Sequence, residues 1–313
     1  MSVEQKDMPI QSFDALVQNL RGSAPKNMAV VAAEEEHVLE AVARASADGI
    51  VRPILIGDAA EIKRILSGPL AGMAAAVEGD LESTIVHEAD PDAAASLAVR
   101  MVNEGRADFL MKGRINTANL LKPVVNKESG LRKGGLISLL TLMQIPRYHK
   151  LIAMSDGGMA IAPTLEQKKA ILENAVATLR DMGCPMPKVG VMCAVENVNP
   201  KMPETVDAAA LAEMNRSGEI SDCIVEGPIS MDLALSAQTA RLKGYESRIA
   251  GEVDVMIWPG IAAGNLVTKA LTELAGADAV TLAVGAKVPM VISSRGASAD
   301  TKYKTIVAAA SAL

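Results

Sequence analysis

The chain has 313 residues, enough for two domains or one large one. Half of the residues are hydrophobic and 22% are charged, which excludes global disorder. A net charge of −6 with 2% aromatics leaves neither the basic field nor the stacking platforms that nucleic-acid binding uses. An anionic ligand therefore has to be held locally, by helix starts and a few placed cations.

The leader MSVEQKDMPIQSF has no apolar signal-like core, and no run reaches the length of a membrane span. Cys184, Cys193 and Cys223 form no CxxC pair and are odd in number, so reduced thiols in a cytoplasmic protein are expected. His37, His87 and His149 are scattered.

In chain order, Ser12–Leu20 is amphipathic and predicts a leader helix. Met28–Ala32 predicts a strand, Glu35–Ala47 a helix, Arg52–Ile56 a strand and Ala60–Leu66 a helix. A strand at Thr84–His87 and a helix at Pro91–Glu104, capped by Asp90, follow. Phe109–Met111 is a strand that runs into MKGRINTANLLKP. There Lys112 stands at the strand end, Asn116 or Thr117 caps a helix, and Lys122 lies inside it. Two cations around a helix start suit an anion, and the same pattern also makes an ordinary βα loop with solvated lysines.

Asn126–Gly135 is polar and glycine-rich and reads as a junction. Leu136–Leu142 follows, and Leu151–Met154 is a strand entering Ser155-Asp156-Gly157-Gly158, a tight turn or a close backbone approach. Pro163–Asp181 holds a long helix with Lys168 and Lys169 on its solvated face. Lys188–Ala194 and Cys223–Val225 are strands, and Glu204–Asn215 and Ser230–Ala240 are helices. Asp254–Trp258 is a strand, Asn265 starts a helix over Leu266–Ala275, and Val280–Val284 is a strand. Strands alternating with helices predict an α/β fold with mostly parallel sheets, whose ligands sit at the carboxyl ends of the strands.

The last such end is VPMVISSRGASADTKYK, residues 288–304. A strand at Val288–Ile292 passes through Ser293, Ser294, Arg295 and Gly296 into a helix capped by Ser298. Free N–H groups, a cation and small polar side chains make this a candidate anion site, although such a loop also serves simply to turn a chain. The chain contains no GxxxxGK[ST], GxG, GxSxG or HExxH motif, and no two Asp residues lie four apart. P-loop kinases, GxGxxG dehydrogenases, serine hydrolases and zinc enzymes are disfavoured, which leaves a metal-free reaction on an anionic substrate.

Five segments taken together carry a more specific signal: LMKGRINTANLLKPVV (110–125), KVGVMCAVENVNPKMPETVDAA (188–209), CIVEGPISMDLAL (223–235), PGIAAGNLVTKAL (259–271) and VGAKVPMVISSRGASADT (284–301). Their order and content resemble the phosphate acetyl/butyryltransferase (phosphotransacylase) family, nearer the butyryl branch, from about residue 28 onward. The resemblance implies acyl-CoA plus phosphate in equilibrium with acyl phosphate plus CoA. Coenzyme A is then a substrate, no metal or tightly bound cofactor is needed, and the assembly is a homodimer. It implies two α/β domains around a cleft, in an isocitrate/isopropylmalate dehydrogenase-like architecture, with expected bounds of 1–133 plus 290–313 and 134–289.

The resemblance also implies residue roles. Arg295 binds the phosphoryl group, Ser294 helps hold the CoA thiol, and Asp300 takes the thiol proton, although the family's acid falls one position later in some members, at Thr301 here. Lys122 stands where the family has an arginine, and Lys112, Asn116, Thr117, Gly264 and Asn265 complete the substrate-binding set. A base of this kind is expected to be desolvated, with a raised pKa. The other readings are an NAD(P)- and metal-dependent decarboxylating dehydrogenase of the same architecture and a non-catalytic acyl-CoA sensor.

Overall fold

Short apolar runs become strands where small residues or prolines end them, and the amphipathic stretches between them become helices. The computed structural model describes residues 10–74, 84–133, 135–294 and 296–313. Its elements begin with α1 (Phe13–Leu20), β1 (Lys26–Val31), α2 (Glu36–Ala47), β2 (Val51–Gly57), α3 (Ala59–Ser67), α4 (Ala71–Ala74) and β3 (Ile85–His87). Next come α5 (Pro91–Asn103), β4 (Phe109–Lys112), α6 (Thr117–Val124), β5 (Ser138–Gln144), β6 (Leu151–Ser155) and α7 (Leu165–Asp181). The chain continues through β7 (Lys188–Met192), α8 (Pro203–Arg216), β8 (Ile224–Ile229), α9 (Met231–Leu235), α10 (Ala237–Leu242) and β9 (Val255–Ile257). It ends with α11 (Ile261–Ala275), β10 (Asp278–Val284), β11 (Met290–Val291) and α12 (Ala299–Ser311).

The chain divides into two compact units, one of residues 13–135 and 280–313, the other of residues 136–279 with the N-terminal segment. The return crossing falls ten residues before the expected one, because β10 pairs antiparallel with β11. Ile10 accepts a hydrogen bond from the Leu151 N–H at 2.8 Å, which ties the leader to the second unit.

In the first unit the strand order is β3-β2-β1-β4-β11-β10, and the pairs from β3 through β11 are parallel. Met28, Ala29, Val30 and Val31 of β1 are fully buried, as a strand with neighbours on both sides and helices on both faces must be. Two helices are capped as their sequences predict. Asp90 accepts from Asp92 and Ala93 at the start of α5, and Ser298 accepts from the Thr301 N–H at the start of α12. Helix α12 packs against α2 and α1 and buries Tyr303, Ile306 and Val307, with Phe13 and Leu16 of α1 also buried. Each of the aliphatic side chains among them contributes about 1.5–3 kcal/mol.

The second unit has the order β5-β6-β9-β7-β8, with β6, β9, β7 and β8 parallel and β5 antiparallel to β6. Its core is rich in methionine, with Met143, Met154, Met192 and Met256 around Ile229 and Trp258.

Several expectations change. Strand β8 runs on through Gly227-Pro228 to Ile229, and the single helix expected over 230–240 is broken at Ser236 into α9 and α10. Ser236 is extended there and caps α10 through the Thr239 N–H. Lys168 is not solvated: it is 5% exposed, and its ammonium lies 2.6 Å from Asp207 on α8. Among the described residues no helix is long and apolar enough to cross a membrane.

Candidate active site

In the first unit β1, β4 and β11 run parallel side by side, so their carboxyl ends open on one edge of the sheet. Two loops are stitched together there. Gly113 donates to the Val31 carbonyl at 2.8 Å and Arg114 to the Ala32 carbonyl at 2.7 Å. A Cβ on Gly113 would stand 2.1 Å from the Ala32 oxygen, so only glycine allows this approach. Ala32 itself is left-handed, with φ of 53°, and this turn sends the chain into Ala33, Glu34 and Glu35.

These loops enclose a cavity of about 490 Å³. Lys112, Gly113, Ser293, Ser294, Lys302 and Glu34 line it, together with Glu35, Glu36, Glu61, Ile65, Arg64 and Arg114. Lys112 is 5% exposed, and its ammonium donates to the carbonyls of Gly113 and Ser293, both at 3.4 Å. Lys302 is 1% exposed, donates to the Ala297 carbonyl at 2.7 Å and lies 3.8 Å from Glu35. Glu61 accepts two bonds of 2.8 Å from the Arg64 guanidinium, which holds its carboxyl below the usual range. Two buried ammonium groups and the exposed Ser294 hydroxyl thus face one cavity at a strand edge, which suits a phosphoryl group or another compact anion.

The expected site residues separate into groups. Lys112 and Ser294 share this cavity. Asn116 occupies the N-cap position of α6 but makes no capping bond with its side chain, and Thr117 opens the helix. Lys122 does not join Lys112. It lines another cavity, of about 330 Å³, with Asp92, Arg100, Asn119 and Asn126. The helical period explains this, since five residues beyond Thr117 the side chain has turned to the face that meets α5, where Asn119 bonds Asp92 at 2.8 Å. Arg295 lies outside the described residues.

Asp300 corrects an expectation. Its side chain is 51% exposed, 2.8 Å from Lys304 and 2.8 Å from Arg44 of α2. The Lys304 ammonium, aided by Arg44, holds its carboxyl below the usual range, although partial burial opposes them. The raised pKa expected of a desolvated base is absent. The Arg44 guanidinium is itself fixed, 3.7 Å over the Tyr303 ring.

Gly264 and Asn265 lie in the second unit. They stand within the first turns of α11, which starts at Ile261, not at Asn265. A Cβ on Gly264 would meet Trp258 at 2.8 Å and the Gly157 Cα at 2.9 Å, and Asn265 donates to the Gly157 carbonyl at 3.2 Å. Both positions hold the Asp156 loop against α11. Asp156 is 2% exposed and accepts from the N–H groups of Gly158 and Met159 at 2.7 Å and of Leu139 at 2.8 Å. The sequence expectations did not include Glu34 and Lys302, which line the same cavity as Lys112. Their signals were a run of three glutamates straight after a buried strand, and a lysine one turn past a helix cap.

A family model described as "Phosphate acetyl/butaryl transferase" matches residues 82–310. The chain is 40% identical to the phosphate acetyltransferase of Thermotoga maritima, over 95% of this chain and 98% of that one. It is 38% identical to the phosphate butyryltransferase of Clostridium acetobutylicum, over 96% and 98%. The crystal structure of a branched-chain phosphotransacylase from Enterococcus faecalis V583 superposes with a TM-score of 0.78 at 29% identity, covering 92% of this chain and 98% of that one. With the family model over most of the chain and relatives covered nearly end to end in agreement, this chain belongs to the phosphate acetyl/butyryltransferase family.

Proposed function

We propose that the chain is a phosphate acyltransferase that interconverts acyl-CoA plus phosphate with acyl phosphate plus CoA. The observation that carries this reading is the single cavity in which Lys112, Lys302 and Ser294 meet at the carboxyl ends of β4 and β11. Lys112, with Arg295 next to Ser294 in sequence, binds the phosphoryl group, and the Ser294 hydroxyl holds the CoA thiol. The buried ammonium groups stabilise the oxyanion of the tetrahedral intermediate and the charge of the leaving phosphate. Asn116 and Thr117 present the start of α6 to the same anion. Sulfur attacks the acyl carbon directly, with both substrates bound, so no acyl-enzyme forms. Coenzyme A comes and goes as a substrate.

Lys122 acts at a distance, through its own cavity with Arg100. Asp300 is already ionised and held by two cations, which makes it a weak proton acceptor. The two compact units are the two domains of the enzyme, and Gly264 and Asn265 serve by shaping the Asp156 loop. A cytoplasmic setting belongs to the same reading.

A second copy of the chain is the partner. Helix α11 is apolar, yet only Gly264 among its residues is buried, with Leu266 68% and Leu274 86% exposed. Ala262, Leu266, Ala270 and Leu274 recur every four residues and make one stripe, which supports a homodimer seam. Leu266→Glu with Leu274→Glu is expected to shift the sedimentation mass from dimer to monomer.

The test of the activity is phosphate-dependent release of free CoA from acetyl-, propionyl- and butyryl-CoA, read with a thiol reagent. Release with at least one thioester is expected, and the panel ranks acyl length. No release from any of them overturns the reading.

A further inference from the structure

We propose that Glu34 is the carboxylate that carries the proton between the CoA thiol and phosphate. This inference rests on the phosphotransacylase reading and names a catalytic residue for it.

Glu34 lines the cavity shared by Lys112, Ser294 and Lys302. Its Oε2 is sealed from solvent and has no hydrogen-bond partner. The other carboxylates of the cavity differ. Glu61 is spent on Arg64, and Glu35 lies 3.8 Å from the Lys302 ammonium. Glu36 is exposed, and none of these three has a sealed, partnerless oxygen. A buried acceptor without a donor is incomplete, and when the side chain turns from Gly57 into the cavity it lines, a substrate's proton completes it.

The fold makes room for this carboxylate in particular. Gly57 ends β2 beside it, and a Cβ there would stand 2.1 Å from Glu34 Oε2. Ala33, next to Glu34, is pinned to β2 by its N–H bond to the Ile56 carbonyl at 3.0 Å. The left-handed turn at Ala32 and the missing Cβ of Gly57 therefore give the carboxylate its room beside the end of β2.

The step balances with this one group. In the direction of acyl-CoA formation the S–H bond breaks, and its proton passes to the Glu34 carboxylate. The sulfur electron pair forms the C–S bond to the carbonyl carbon of the acyl phosphate. When the tetrahedral intermediate collapses, the C–O bond to phosphate breaks and Glu34 returns the proton to the departing oxygen. Phosphate leaves as hydrogen phosphate and Glu34 is again a carboxylate. The reverse direction takes the proton from hydrogen phosphate and gives it to the leaving thiolate.

The experiment compares wild type, Glu34→Gln and Gly57→Ala with acyl-CoA and phosphate. Wild-type release of CoA is scored first, since its absence sinks the phosphotransacylase reading itself and with it this inference. With an active wild type, Glu34→Gln is expected to lose kcat by at least about 100-fold, with KM for acyl-CoA within about threefold. Its thermal midpoint is expected to be unchanged or higher. Gly57→Ala keeps the carboxylate but displaces it, and is expected to lose at least about tenfold in kcat. It keeps the test alive should Glu34→Gln not fold. A kcat within about threefold of wild type in Glu34→Gln, or in Gly57→Ala if only that variant folds, overturns the proposal. So does a loss carried wholly by KM.

Discussion

Two carboxylates follow buried parallel strands, one in each unit, and they are in opposite states. Asp156, after β6, is met by three backbone N–H groups from Leu139, Gly158 and Met159. Glu34, after β1, has a sealed oxygen with no donor at all. Each depends on a glycine elsewhere in the chain, Gly264 for the Asp156 loop and Gly57 for Glu34. The difference separates structure from function. A buried carboxylate with its bonds complete holds two strands and a loop in place, whereas one with a bond missing is ready for a ligand's proton.

The largest expected effect lies on the complete side. Asp156→Ala strands three backbone donors and should cost roughly 3–5 kcal/mol in urea unfolding. Glu34→Gln removes an unpaired acceptor and should shift stability by less than about 1 kcal/mol. Equal losses in the two variants would erase the distinction between them.

The thiols of the second unit sharpen the comparison next, Cys184 and Cys223 being buried and Cys193 half-buried. Burial pushes Cys193 up to about 12 and Cys184 and Cys223 to about 11, with acidic neighbours adding to each. Only the thiolate is nucleophilic, so alkylation of all three by iodoacetamide at pH 8 should be roughly 100-fold slower than that of free cysteine. Fast labelling of any of them with loss of activity would put an enzyme thiol back into the reaction.

Gly264→Ala tests the packing on which the Asp156 loop rests. The new methyl would press on Trp258, Gly157 and the Asp156 carbonyl, all within 3.0 Å. A loss of roughly 1–3 kcal/mol is expected, since backbone and a buried ring yield little.

Much of this was legible in local sequence. Apolar runs such as MAVV and FLM, with Asp90 and Ser298 as caps, marked elements whose existence depends on neighbours along the chain. The places of Lys112 and Ser294 at strand ends were legible for the same reason, since a strand end fixes where its loop opens. Pro228 hid the second half of β8, because a proline reads as a stop wherever the pairing partner is unknown. Lys168 read as solvated because Asp207, its partner, lies 39 residues on. The separation of Lys122 from Lys112 was hidden by rotation: its side chain lies on the face of α6 that meets α5, in a cavity of its own. Glu34 was hidden most deeply. Its meaning comes from a Cβ that Gly57 lacks, and no window around residue 34 contains that absence.

Asp300 supplies the smallest expected effect and the contrast that the other two carboxylates need. It is neither sealed nor buried, and its bonds to Lys304 and Arg44 lie in water, where exposed ion pairs are weak. Its carboxyl is held below the usual range in the folded chain. The stability it contributes is therefore present above the ordinary aspartate value, near pH 3.9, and is lost as pH falls through the lower folded value. Asp300→Asn should cost less than about 1 kcal/mol at pH 7. The difference from wild type should shrink in 1 M salt, and again as pH falls below the ordinary aspartate value. A larger, salt-insensitive loss would mean that Asp300 is shielded from solvent after all. It would then stand with Asp156 as a structural carboxylate, and its two cations would be holding α12 against α2.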